Sequence, residues 1–170
     1  MGKGLMDARQ LAYYISKKFE EYSNNTLQIS NIKLQKTLYF LFAMWGGFIT
    51  KSQQNESEFK TTLSNILFSN EIQAWVYGPV VPEVFFENRD GNLEKYKFDF
   101  DDFFNGEKLI LRETIDSIMN DIFAVSDFKL VSISHEDKCW QDHFDPQEPE
   151  HHSEIPKEEI ISEYAMRECL

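Results

Sequence analysis

The chain has 170 residues, 42% of them hydrophobic and 15% aromatic, with fifteen Phe and a formal net charge of −12. That length and apolar content suit one domain over residues 1–170, with a core at about 7–166 that relies on large flat side chains. Residues 1–51 hold seven Lys and Arg against three acids, a balance of +4, and the remainder holds ten against twenty-six, a balance of −16; this excludes a sequence-independent grip on nucleic acid, which works by neutralising phosphates.

Acidity does permit a partner with a basic groove. The longest apolar block, Leu38 to Ile49, is broken by Gly46-Gly47 and is too short to span a membrane. The first residues lack an apolar signal region, so a cytoplasmic protein is expected. Cys139 and Cys169 are spaced neither as a metal site nor as a disulfide framework, which suits a reducing compartment.

Asp7 to Tyr22 reads as a first helix, with Asp7 as N-cap, Gln10 placed to answer it, and Leu11, Ile15, Phe19 and Tyr22 on one buried stripe. Asn24-Asn25-Thr26 supplies a polar connection, and Ser30 caps a second helix running to about Trp45. Ile32, Leu34, Leu38, Leu41, Phe42, Trp45 and Phe48 cover more than half of that helix, which places it at the centre of the core. Lys33, Gln35 and Lys36 are polar exceptions; the lysines suit a solvated face with buried stems, or a cationic patch for an acidic partner surface. Gly46-Gly47 either ends this helix or marks close packing.

Thr50 to Ser57 reads as an exposed loop, and Phe59 to Asn70 suits a helix or a strand equally. Glu71 to Tyr77 reads as a short strand. It runs into Ala74-Trp75-Val76-Tyr77-Gly78-Pro79-Val80-Val81-Pro82-Glu83, where Gly78 and Pro79 predict a sharp corner and Pro82 opens a short helix to about Glu87. Trp75 is expected in the core. After a turn at Asn88–Asn92, aromatic and acidic residues interleave from Leu93 to Asn105, as a strand, an edge or an arm on the surface. Tyr96, Asp99, Asp101, Asp102 and Phe103 there form a candidate partner strip, in which aromatics anchor and charges select.

Leu109 to Val125 is an amphipathic helix with Ile115, Ile118, Met119, Ile122 and Val125 on one face. Ser126 caps a further short helix through Ile133, although Phe128 to Val131 would also suit a strand. An acidic loop from Gln141 to Glu154 precedes a last helix that starts at Pro156 and turns Ile160, Ile161 and Tyr164 inward. The expected fold is mainly α (α+β): a compact helical domain around a central apolar helix, with a small β element.

For chemistry the sequence offers little. His135, His143, His151 and His152 lie close together, but their spacing matches no helical ligand pair, and no metal or cofactor is expected. Cys139 near His135 is a weak nucleophile pair, because acidic surroundings raise a thiol pKa. His135 reads better as structural, bonded to carbonyls at a helix end and stacked near Trp140.

Three blocks together resemble a family. Asn31-Ile32-Lys33-Leu34-Gln35-Lys36-Thr37-Leu38-Tyr39-Phe40 is similar to the helix signature "kLqKlLYf" of the SocA-like, or Panacea, domain. The block from Ala74 to Phe85 resembles its "AWkyGPVvpevY", and Ser134 to Trp140 its "sH.e..W", in matching order and spacing. The resemblance implies a mostly helical, phage-associated or antitoxin protein that neutralises a toxin by contact, or delivers it to a protease, without catalysis. It makes Lys33, Gln35, Lys36, Tyr39, Trp75, Tyr77, Gly78, Pro79, Pro82, His135 and Trp140 family-motif and candidate partner-binding residues. The Lys51–Asn65 stretch and the aromatic-acidic segment depart from the pattern, leaving a phage-borne inhibitor of host defence as the alternative; an unrecognised Cys/His enzyme is a third.

Overall fold

The computed structural model describes residues 3–55 and 60–167. Helix α1 (Ala8–Tyr22) starts where Asp7 accepts a hydrogen bond from the Arg9 backbone N–H at 2.8 Å. Arg9, rather than Gln10, also engages that carboxylate through its guanidinium. The helix stops at Asn24 and Asn25, both left-handed with φ of 53° and 60°, a conformation asparagine tolerates. Leu11, Ile15 and Phe19 are buried as the stripe predicts, but Tyr22 is 48% exposed because it falls beyond the edge of the core.

Helix α2 (Asn31–Gln54) begins at Ser30, whose hydroxyl accepts from the Lys33 N–H at 3.0 Å. Every residue from Leu34 to Ala43 is buried, so this is the central helix. It does not end at Trp45. Gly46-Gly47 sit inside it, because a Cβ on Gly46 would lie 2.6 Å from Ile161 Cγ1. Gly46 therefore admits the last helix and neither glycine breaks this one, and the loop expected from Thr50 is helical to Gln54. Positions 56–59, including part of that loop and Phe59, lie outside the described residues.

The ambiguous stretch is neither helix nor strand where it is described. Leu63, Ile66, Leu67 and Phe68 are buried in irregular backbone, held by bonds from the Leu5 and Met6 N–H groups to the Ile66 and Leu67 carbonyls. Strand β1 (Gln73–Trp75) pairs antiparallel with β2 (Gly78–Val80), matching Trp75 to Gly78. The predicted corner is thus a hairpin turning at Val76-Tyr77, with Gly78-Pro79 already in the return strand. Ser153 and Ile155 bond the other edge of β1 through Ala74 N–H and the Ile72 carbonyl, at 2.9 and 2.8 Å.

Helix α3 (Pro82–Arg89) opens on proline, as expected. The aromatic-acidic segment is no strand: it forms a 3-10 turn (Leu93–Tyr96) and helix α4 (Phe100–Phe103), wrapped onto α1. Phe100 meets Tyr14 edge-on at 4.7 Å, and Phe104 is 1% exposed. Helix α5 (Lys108–Phe123) buries Leu111, Ile115, Met119 and Ile122, with Ile118 and Val125 at the border of the core. Tyr14 fastens α5 to α1 by donating its hydroxyl to Asp116 Oδ1 at 2.7 Å.

Ser126 caps α6 (Asp127–His135), which settles Phe128–Val131 as helical. A short α7 (Lys138–Gln141) follows. After the acidic loop, α8 (Lys157–Ala165) lays Ile160, Ile161 and Tyr164 against α2. The fold is mainly α with one small antiparallel sheet. No helix among the described residues is long and apolar enough to cross a membrane.

Candidate functional site

The hairpin is the point to which separate parts of the chain converge. From the second turn of α2, Gln35 hooks the residue after β2: its Oε1 accepts from Val81 N–H at 2.8 Å and its Nε2 donates to Val81 O at 3.4 Å. One residue on, Lys36 Nζ donates to the Pro79 carbonyl at 2.7 Å. Gln35 and Lys36 are 5% and 1% exposed, so the solvated face expected of the lysines is corrected at Lys36, which points inward because β2 lies across the helix. Lys33 is also engaged, donating to the Phe123 and Val125 carbonyls at the end of α5 at 3.1 and 2.7 Å. The lysines therefore form no exposed cationic patch. Burial lowers the Lys36 amine to about 7.

Gly78 has φ of +102°, which only glycine adopts freely. A Cβ there would lie 2.4 Å from Ser134 Oγ and 2.9 Å from Lys36 Cε. The third block closes the arrangement. The His135 Nε2–H donates to the Val76 carbonyl at 3.0 Å, which fixes the tautomer because a carbonyl can only accept. Trp140 Nε1 donates to the Trp75 carbonyl at 2.9 Å. The His135 and Trp140 rings stack at 4.1 Å and 16°. The carbonyl met by His135 belongs to the hairpin, not to a helix end, and burial lowers the His135 pKa.

Behind the hairpin, Asp137 is 2% exposed and joins three elements. Its Oδ2 accepts from Tyr39 at 2.5 Å and Tyr164 at 2.7 Å, and its Oδ1 from Arg167 Nη2 at 2.7 Å. Burial raises both phenols well above their usual value, and Asp137 adds to it. Cys139 Sγ lies 3.4 Å from the Tyr39 hydroxyl and 3.6 Å from Glu163 Oε2, and burial pushes its thiol up to about 12. Asp137, Cys139 and Glu163 offer ligand atoms within 4.8 Å of one another. Both Asp137 oxygens already hold donors, and Oδ2 holds two, so this carboxylate is committed to its phenols and guanidinium. The arrangement is a lock between α2, α7 and α8. Of its members, Tyr39 stood out in the sequence as a motif residue, Cys139 as a weak nucleophile candidate and Tyr164 as inward-facing; Arg167 carries no motif signal and is found only through the fold.

No protein-family model, no curated protein and no solved structure matches the chain. The functional reading therefore rests on the site itself.

Beside the hairpin a cleft of about 270 Å³ opens between the start of α2, the hairpin, α3 and the loop at 149–152. Trp75 stands in its wall rather than in the core, a correction explained by its neighbours: Phe85 lies edge-on at 5.0 Å and His152 stacks at 4.2 Å and 16°. Ile32, Val76 and Tyr77 complete the apolar lining, and Lys36 lines it from within. Val76 and Tyr77 at the hairpin tip are 44% and 57% exposed, and Phe128 beside Tyr77 is 64% exposed. Pro82 sits outside the cleft, starting α3. The four histidines do not converge: His143 pairs with Glu159 at 2.7 Å, His152 meets Trp75, and His151 is exposed.

The acidic-aromatic strip divides. Phe103 lies under Lys108 and Tyr96 under Arg9, with the cations 4.2 and 5.1 Å from the ring centres. Asp99 caps α4, Asp101 pairs with Arg112 at 2.7 Å, and Asp99, Asp101 and Asp102 remain exposed. Its rings anchor the segment to this chain, and the exposed acids, Asp101 while paired with Arg112, are what it presents to a partner.

Proposed function

We propose that the protein is a non-catalytic, protein-binding neutraliser of the SocA-like, or Panacea, kind, holding a toxin inactive by contact or passing it to a protease. One observation carries this reading: the motif residues turn their polar atoms inward onto the hairpin, while the hairpin turns its aromatics outward. Gln35, Lys36, His135 and Trp140 all bond backbone carbonyls or N–H groups of residues 75–81. Groups committed in that way position a surface. Val76, Tyr77 and Phe128 then form an exposed apolar cluster at the mouth of an aromatic cleft, the composition of an interface centre. Cys139 and the two buried phenols, pushed towards their protonated forms, fit a structural role better than nucleophilic catalysis.

On this reading the partner is a protein and no cofactor takes part. The chain works in the bacterial cytoplasm, or in the host cytoplasm if a phage encodes it. The test is expression of the genes beside this one, each alone and with this chain. A neighbour that halts growth alone and is tolerated on co-expression supports the reading, and neighbours that are all harmless alone overturn it.

A second reading, an acidic inhibitor of a host defence protein, is favoured by the −16 carried after residue 51 and by the outward Asp99, Asp101 and Asp102. It predicts a host nuclease or other defence protein among the proteins captured from lysate, and release of that protein by salt.

A further inference from the structure

The cleft beside the hairpin combines apolar walls with one buried amine. Among the described residues, the Pro79 carbonyl is the one hydrogen-bond acceptor on Lys36 Nζ, and no carboxylate pairs with it. An ammonium can donate three hydrogen bonds, so two N–H groups are left without a partner in a side chain 1% exposed. Lys36 lines the cleft, and such a group favours a ligand acceptor, above all an anionic one. The walls ask for something else: Trp75, Tyr77, Ile32 and Phe85 line it with aromatic and aliphatic side chains. The volume, about 270 Å³, falls below the range for drug-sized ligands and suits a single residue.

One kind of residue meets both demands. An apolar residue inside a chain has no carboxylate, and Asp or Glu has no apolar body to fill the walls. A chain-terminal apolar residue carries both on one Cα. We propose that this cleft captures the C-terminal residue of a protein partner, its apolar or aromatic side chain between Trp75, Tyr77 and Ile32 and its free carboxylate on Lys36. Glu150 also lines the cleft but is exposed, where its repulsion is screened, whereas Lys36 acts in a low-dielectric interior. The inference rests on the reading of the protein as a protein-binding neutraliser and specifies how the partner is held.

The test uses the full-length chain and short probes: acetyl-Gly-Gly-Phe as the free acid, the same peptide as its C-terminal amide, and acetyl-Gly-Phe-Glu amide, with a carboxylate only on a side chain. Binding is read by NMR from the Trp75 indole N–H. The free acid is expected to shift that resonance, with both amides at least about tenfold weaker. In Lys36→Met the free acid and its amide become equal. Equal binding of acid and amide to the wild type, or no shift of Trp75, overturns the proposal; stronger binding of the Glu peptide overturns it in favour of an acidic side chain. Should Lys36→Met not fold, the Lys36 Cε resonance of the wild type decides: the free acid must raise the pH at which it titrates, and no change refutes the contact. Toxin rescue by the wild type with no peptide binding would sink this inference while leaving the neutraliser reading intact.

Discussion

Lys36→Met replaces a buried amine by an apolar chain of similar length, and its effect on stability depends on pH. Burial lowers the amine from 10.5 to about 7 in the folded chain, while the unfolded chain titrates near the ordinary value. Between these two values the unfolded state binds the extra proton, so wild-type stability rises with pH, by ~1.4 kcal/mol per unit for one group. Below about pH 7 both states are protonated and this contribution is flat. Methionine has no such titration, so subtracting the variant cancels most other groups. The lost bond to the Pro79 carbonyl shifts the difference by about 1–3 kcal/mol but leaves its slope unchanged. His135, whose pKa burial lowers, titrates beneath this window. Urea denaturation of both proteins from pH 6 to 9 should show the wild type gaining about 2–3 kcal/mol on the variant between pH 7 and 9. A difference constant over that range would refute a buried, proton-excluding Lys36.

Three further outcomes follow from the same geometry. Gly78→Ala should lower stability by about 3 kcal/mol, from left-handed strain and overlap with Ser134 and Lys36, read as a fall in melting temperature. Wild-type melting would show that the hairpin relaxes freely. Tyr39→Phe removes one donor from the buried Asp137 and should cost about 1–3 kcal/mol in urea denaturation, with unchanged helical circular dichroism. Trp75→Ala should cost about 1–2 kcal/mol, well under the 3–5 typical of a core tryptophan, because one side of the ring faces the cleft. A larger loss would return Trp75 to the core.

Elements set by local rules were legible in the sequence. Asp7, Ser30 and Ser126 cap the helices they were expected to cap, and Pro82 and Pro156 mark helix starts. Elements decided by tertiary packing were not. Gly46-Gly47 resembles a helix stop until Ile161 is laid into the gap. Leu93–Asn105 alternates like a strand, yet Tyr13 and Tyr14 offer its rings a surface that helical turns fit. The candidate site was half readable: Gln35, Lys36, His135 and Trp140 do meet at the hairpin, but Lys33 and Lys36 read in the sequence like surface residues. Nothing local indicates that Lys36 would find its acceptor 43 residues away at Pro79, or that Asp137 would gather Tyr39, Tyr164 and Arg167.

The central claim is that the hairpin and its cleft form the face that meets the partner. Once co-expression has identified that partner, calorimetric titration of the purified proteins tests the claim most directly, with Tyr77→Asp compared against Asp101→Asn with Asp102→Asn. Tyr77 is 57% exposed, so its replacement should leave the fold intact. The account predicts that Tyr77→Asp weakens binding at least about thirtyfold while the α4 double variant binds like the wild type. Unchanged affinity for Tyr77→Asp, with loss in the double variant, would contradict it and move the interface to the acidic segment.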